Sequence, residues 1–255
     1  MIDRGRLYHG PGTALTPSIA AGGYALAVAC FFAIGLIGGP GRVTDALAQL
    51  VALAGVPVAL VRLHGGTRAD LGLTRPPLLV VVGAVVAGTG SWLVAHALAA
   101  PLVEATGRAR EVDRLSRQLL AGDVALVLLL RALLPAICEE LLHRGLVLGA
   151  LVPRYGRASA LVATTLVFAV LHLEPARMVG AAVVGLLAGV FALCARSVVP
   201  AMTLHLVNNA VALGLALGAL PGVATIARHP DGALAVACAL VGAGIGLGWI
   251  GRQRS

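Results

Sequence analysis

The stretch Cys138-Glu139-Glu140-Leu141-Leu142-His143-Arg144 sets two adjacent carboxylates, a histidine and an arginine inside an apolar run from Val124 to Val152, which is otherwise broken by little more than Arg131 and Pro135. A charge near the centre of a bilayer costs about 2.5–3.5 kcal/mol on insertion scales, so such residues usually face a protein interior and serve a function. Glu140 and Arg144 are i,i+4 and can form a buried ion pair on one helix face. Glu139 points about 100° away from Glu140 and about 140° from Arg144 on an ideal helix. Its own i+4 neighbour is His143, a local partner with no chemistry required. A carboxylate in this setting can act as a general base near neutral pH, because an apolar site disfavours its charged form. What else the chain brings to Glu139 is therefore the central question.

Two further i,i+4 pairs answer it. Phe168 and His172 are i,i+4, as are His205 and Asn209, and each pair lies in an apolar segment of its own. Glu139 lies 15 residues before Arg154, and His172 lies 15 residues after Arg157, across the turn Pro153-Arg154-Tyr155-Gly156-Arg157. Helices joined by so tight a turn run antiparallel. Equal offsets at a rise of 1.5 Å per residue put both side chains at one depth, roughly 22 Å from the turn. His205 and Asn209 sit about 10–20 Å in from the Arg196 connection, a difference that tilt or a kink at Pro135 can absorb.

The rest of the chain must hold these three pairs together. It has 255 residues, 59% hydrophobic and 12% charged. A soluble domain carries about 25% charged residues. With apolar runs near 20 residues recurring, a multi-pass helical membrane protein is expected. The 33 glycines suit close helix–helix approach. All 19 basic residues are arginine, and all but Arg131 and Arg144 flank the spans, so the +8 charge is no nucleic-acid footprint. Cys30, Cys138, Cys194 and Cys238 lie in apolar segments without CxxC spacing, which predicts buried free thiols. The start of the chain, with Arg4 and Arg6 ahead of the first span, looks like a signal anchor.

Eight spans are expected: about 17–37, 44–61 (with Pro57 as a kink), 78–100, 123–152, 158–173, 178–195, 201–219 and 233–250. Within 101–122, Val112, Leu115, Leu119 and Leu120 recur at helical spacing among arginines, which fits an interfacial amphipathic helix or a solvated one. One all-α membrane domain over 1–255 follows, with a motif core at about 120–220. Eight spans put both termini on one side. That side holds ten arginines against seven on the other, which favours cytoplasmic termini in a cell-membrane protein. His96, alone in its span, reads as a hydrogen-bonded core histidine.

The ordered set Glu139-Glu140-x-x-x-Arg144, Phe168-x-x-x-His172 and His205-x-x-x-Asn209 resembles the CPBP family of intramembrane proteases. This family is also called Abi or CAAX-protease-like, and it includes the type II CAAX prenyl endopeptidases. The resemblance covers about residues 120–220. It implies a peptidase in which Glu139 and His172 activate a water and His205 and Asn209 form the oxyanion hole. Glu140, Arg144 and Phe168 would be supporting, with no cofactor and a peptide substrate in or at the bilayer. His143 falls where the motif leaves the residue free and is not counted. Two alternatives stand beside this reading. Glu139, His172 and His205 could bind zinc, although HExxH is absent. The protein could also be a non-catalytic membrane factor, such as a self-immunity protein or a scaffold.

Overall fold

The computed structural model describes residues 15–107 and 122–253. The expected amphipathic helix at 108–121 and the first residues of the chain lie outside them. Among the described residues there is no strand, and each of the eight expected spans coincides with a helix.

The long helices are α1 (Pro17–Gly38), α2 (Arg42–Leu63), α3 (Leu78–Ala105), α4 (124–155), α5 (157–170), α6 (Pro175–Ala195), α7 (Val199–Ala216) and, after the short α8 (Pro221–Ala227), α9 (Pro230–Gln253). Six are long and apolar enough to cross a membrane: α1, α2, α3, α6, α7 and α9. Helix α4 differs because it carries Arg131, Glu139, Glu140 and Arg144, and α5 because it is short. Leucine, valine and isoleucine side chains stand exposed around the bundle, Leu36, Ile37, Leu166 and Val236 among them. Such a surface has bilayer as its natural solvent. The protein is a multi-pass membrane protein with an all-α bundle fold.

Helix starts follow local chemistry. Thr16 accepts from the Ile19 N–H, Asp123 from Leu126, and Glu174 from Ala176 and Arg177. Each satisfies amide groups that have no partner in the first turn. Pro17, Pro175 and Pro221 stand at first helical positions, where no N–H is needed.

The two internal prolines singled out as kinks act by widening the helix. Pro57 follows a π-helical stretch at Gln49–Gly55, and Pro135 follows one at Leu129–Leu133. A helix proline cannot donate to the carbonyl four residues back and clashes with it. A wider i→i+5 turn absorbs that misfit. A third π stretch, Leu141–Leu148, contains no proline and holds His143 and Arg144.

The break between α4 and α5 is sharper than a loop. Helix α4 runs on to Tyr155, and the chain turns at Gly156 alone, with φ 79° and ψ 168°, a conformation open to glycine. At the end that carries this turn's neighbours, the 62–77 connection is bonded to the α6–α7 turn. Val198 N–H donates to Gly72 O at 2.8 Å, and Ser197 Oγ donates to Thr74 O at 2.8 Å. Both connections therefore lie at one end of the bundle, as alternating spans require.

Three details depart from the sequence expectations. Helix α5 ends at Val170, so His172 stands in the turn beyond it. His96 is exposed and stacks on Trp92 at 4.8 Å, because i,i+4 aromatic packing on the outside of α3 was open to it. Cys138 is buried and Cys30 and Cys194 partly so, but Cys238 is exposed; all four thiols are free.

Candidate active site

Glu139 and His172 line one cavity of about 290 Å³. They reach it from α4 and from the turn after α5. Its apolar wall comes from Val28, Phe31 and Phe32 of α1, Leu53 of α2, and Leu171 and Leu173 beside His172. Phe32 and Leu173 are also surface-exposed, so the cavity opens at the protein surface. His143, Phe168 and Arg177 complete the lining.

His172 is placed by an unusual turn. Its backbone N–H donates to Ala169 O at 3.0 Å, and Leu173 follows at φ 58°. A bulky residue in the left-handed region is rare and concentrates at sites where the fold over-determines it. The turn leads directly into α6, whose first amides Glu174 caps. The His172 ring bonds Phe168 O through Nδ1 at 3.1 Å. A carbonyl oxygen only accepts, so Nδ1 carries the hydrogen and a neutral ring keeps its lone pair on Nε2. That is the form a proton acceptor needs.

The Glu140–Arg144 pair expected from spacing is present and fully buried, with Arg144 Nη1 donating to Glu140 Oε1 at 3.0 Å. Arg144 Nη2 also donates to Gly185 O at 2.6 Å on α6. A side chain at Gly185 would crowd both Arg144 Nη2 and the Phe168 ring. Glu140 Oε1 takes a second bond, from His205 Nδ1 at 2.9 Å. His205 is thus turned to the buried pair, with Nδ1–H committed and Nε2 remaining.

Phe168 sits at the centre of all these groups. Its ring centroid is 4.9 Å from His143, 5.1 Å from His172 and 5.8 Å from His205. The Arg144 guanidinium carbon lies 4.6 Å from it, in cation–π range. One buried aromatic ring therefore fixes three imidazoles and a guanidinium relative to one another.

Asn209 is half-buried and, like His205, does not line the cavity of Glu139 and His172. Its amide meets Asn208, with 3.3 Å between Asn208 Nδ2 and Asn209 Oδ1. Asn208 in turn lies 2.9 Å from the buried Ser91 hydroxyl of α3, which also reaches Gly88 O at 2.8 Å. Asn209 keeps at least one N–H to donate in either amide orientation, since one contact uses at most one of its two.

Among the described residues no three His, Cys, Asp or Glu side chains form a group able to hold a metal ion. Of the zinc set considered from sequence, Glu139 and His172 share the cavity, while His205 faces Glu140. The residues present do not fit zinc in this arrangement.

Sequence reasoning passed over two residues of the site. His143 lines the cavity, and its signal was its i+4 relation to Glu139. Arg177 stands at the cavity too; no helical spacing ties it to the motifs, since it enters through the α5–α6 turn.

Residues 121–211 match the family described as type II CAAX prenyl endopeptidase Rce1-like. The matched stretch contains every motif residue, and over that stretch the chain is similar to the CAAX-protease family that those motifs resemble. No curated protein and no solved structure matches the chain. That family is one of membrane proteases, which are hydrolases.

Proposed function

We propose that this protein is an intramembrane endopeptidase in which Glu139 and His172 activate a water. The observation that carries the reading is their convergence on one cavity from separate elements, with the Nε2 lone pair of His172 left available. Glu139 takes one hydrogen of the water and His172 Nε2 binds the other. The oxygen attacks the peptide carbonyl carbon. Asn209 and His205 stand outside the lining of that cavity, so they donate to the oxyanion once the bound substrate's carbonyl reaches past the lining to them. Collapse breaks the C–N bond, and the proton held by Glu139 leaves on the amine.

Glu140 and Arg144 are supporting: they fix His205 and anchor α4 to α6. The side chains supply base, acceptor and donors by themselves, so the reaction as proposed takes no cofactor. For the alternative zinc enzyme, His205 would have to leave Glu140. The arginine distribution supports cytoplasmic termini. Comparing membrane peptides of cells carrying wild type with those carrying Glu139→Gln tests the whole proposal. A peptide that accumulates uncleaved only with the variant is expected. Identical profiles, with equal amounts of both proteins, would count for the scaffold reading instead.

A further inference from the structure

His143 is a cavity residue to which the reaction above gives no task. It is 1% exposed, and its ring is held edge-on by Tyr24 at 5.7 Å and Phe168 at 4.9 Å. Tyr24 is itself tied to α5 through its hydroxyl, which donates to Val167 O at 3.2 Å. His143 Nδ1 lies 2.7 Å from the Glu139 carbonyl. That oxygen can only accept, so Nδ1 carries the hydrogen and Nε2 is a lone-pair acceptor. Nε2 is buried and has no hydrogen-bond partner among the described residues. A buried acceptor left unmade is costly, and native proteins rarely keep one without a use.

Counting donors and acceptors identifies that use. A water has two hydrogens, and Glu139 and His172 Nε2 take both. A peptide entering an apolar cavity at membrane depth brings backbone N–H groups that water no longer satisfies, at several kcal/mol each if left bare. The other lining side chains are apolar or, in Arg177, a donor. Beside the second oxygen of the Glu139 carboxylate, which stays with the water and the scissile bond, His143 Nε2 is the remaining side-chain acceptor in the cavity lining.

We propose that His143 is a substrate-binding residue whose Nε2 accepts a hydrogen bond from one backbone N–H of the bound peptide, fixing its register against Glu139. The assignment rests on the peptidase reading. It is tested with purified protein in lipid nanodiscs and quenched-fluorescence apolar peptides, taking the one cleaved fastest and N-methylating its amides one at a time. Wild type is expected to lose about 10–100-fold in kcat/KM at one position near the scissile bond. His143→Phe keeps the ring packing and removes the acceptor. It should cleave the parent peptide about 10–100-fold more slowly and be indifferent to methylation at that position. His143→Gln, whose amide oxygen reaches the same region, should restore part of the discrimination. Such coupling is not produced by a merely structural residue. If wild type cleaves and the methylation profile of His143→Phe parallels it, the assignment is overturned while the peptidase reading stands. If wild type cleaves none of the peptides, the peptidase reading fails in this assay and the assignment falls with it. If His143→Phe and His143→Gln both fail to fold, the assignment stands or falls on whether wild type shows one methylation-sensitive position or none.

Discussion

His205 and Glu140 are 65 residues apart in the chain and 2.9 Å apart in space. The contact joins α7 to the buried Glu140–Arg144 pair on α4. It commits His205 Nδ1 as a donor, so Nε2 can donate to an oxyanion only when the ring is protonated.

Glu140→Gln should therefore act through His205. Per folded molecule, Glu140→Gln and His205→Ala are each expected to lower kcat by about 10²–10³, the scale of one oxyanion donor. The double variant should be scarcely worse than either. Single-turnover rates on the purified, correctly folded fraction check this; additive losses would separate the two residues.

Arg144→Ala should reduce folded yield as well as activity. It strands the Glu140 carboxylate in the interior, at about 3–5 kcal/mol, and removes the bond to Gly185 O. Gly185→Val should resemble it in milder form, because its side chain would press on Arg144 and Phe168. Detergent-resistant yield and melting temperature are the readouts. A normal yield with activity alone lost would place Arg144 among the groups that touch substrate.

Glu139→Gln and His172→Ala should each nearly abolish cleavage. Asn209→Ala should cost about 10²–10³ in kcat, with KM little changed. A loss confined to KM would mean that Asn209 binds substrate rather than the developing oxyanion.

Exhaustive chelation should leave activity intact, and elemental analysis of active protein should find no stoichiometric zinc. Zinc at one per chain, with activity lost on removal and restored on return, would transfer Glu139, His172 and His205 to a metal centre. Asn209 would then matter only about 10–100-fold, through groups that orient the ligands.

Reporters fused after Arg42 and after Ser255 should fall on opposite faces of the membrane, the second in the cytoplasm. Both on one face would contradict eight crossings.

Much of this was written in local spacing. Apolar runs of bilayer length bounded by arginine, glycine and proline determined the eight helices, because a backbone in lipid must bond within its own segment. The i,i+4 relation of Glu140 and Arg144 determined their pair. The equal offsets of Glu139 and His172 from one turn placed them at a common depth, and they share a cavity. Tertiary structure alone decided the rest. The Phe168 ring gathers three histidines because α4, α5 and α7 pack around it, and no spacing within one helix encodes that. His205 is drawn to Glu140 because a buried carboxylate needs more than one donor. Arg177 enters through a turn held by Leu173 in the left-handed region. His143 becomes a cavity residue because Tyr24, more than a hundred positions earlier in the chain, closes one side of it. Which side of a helix is interior depends on what packs there, and that is a property of the whole bundle.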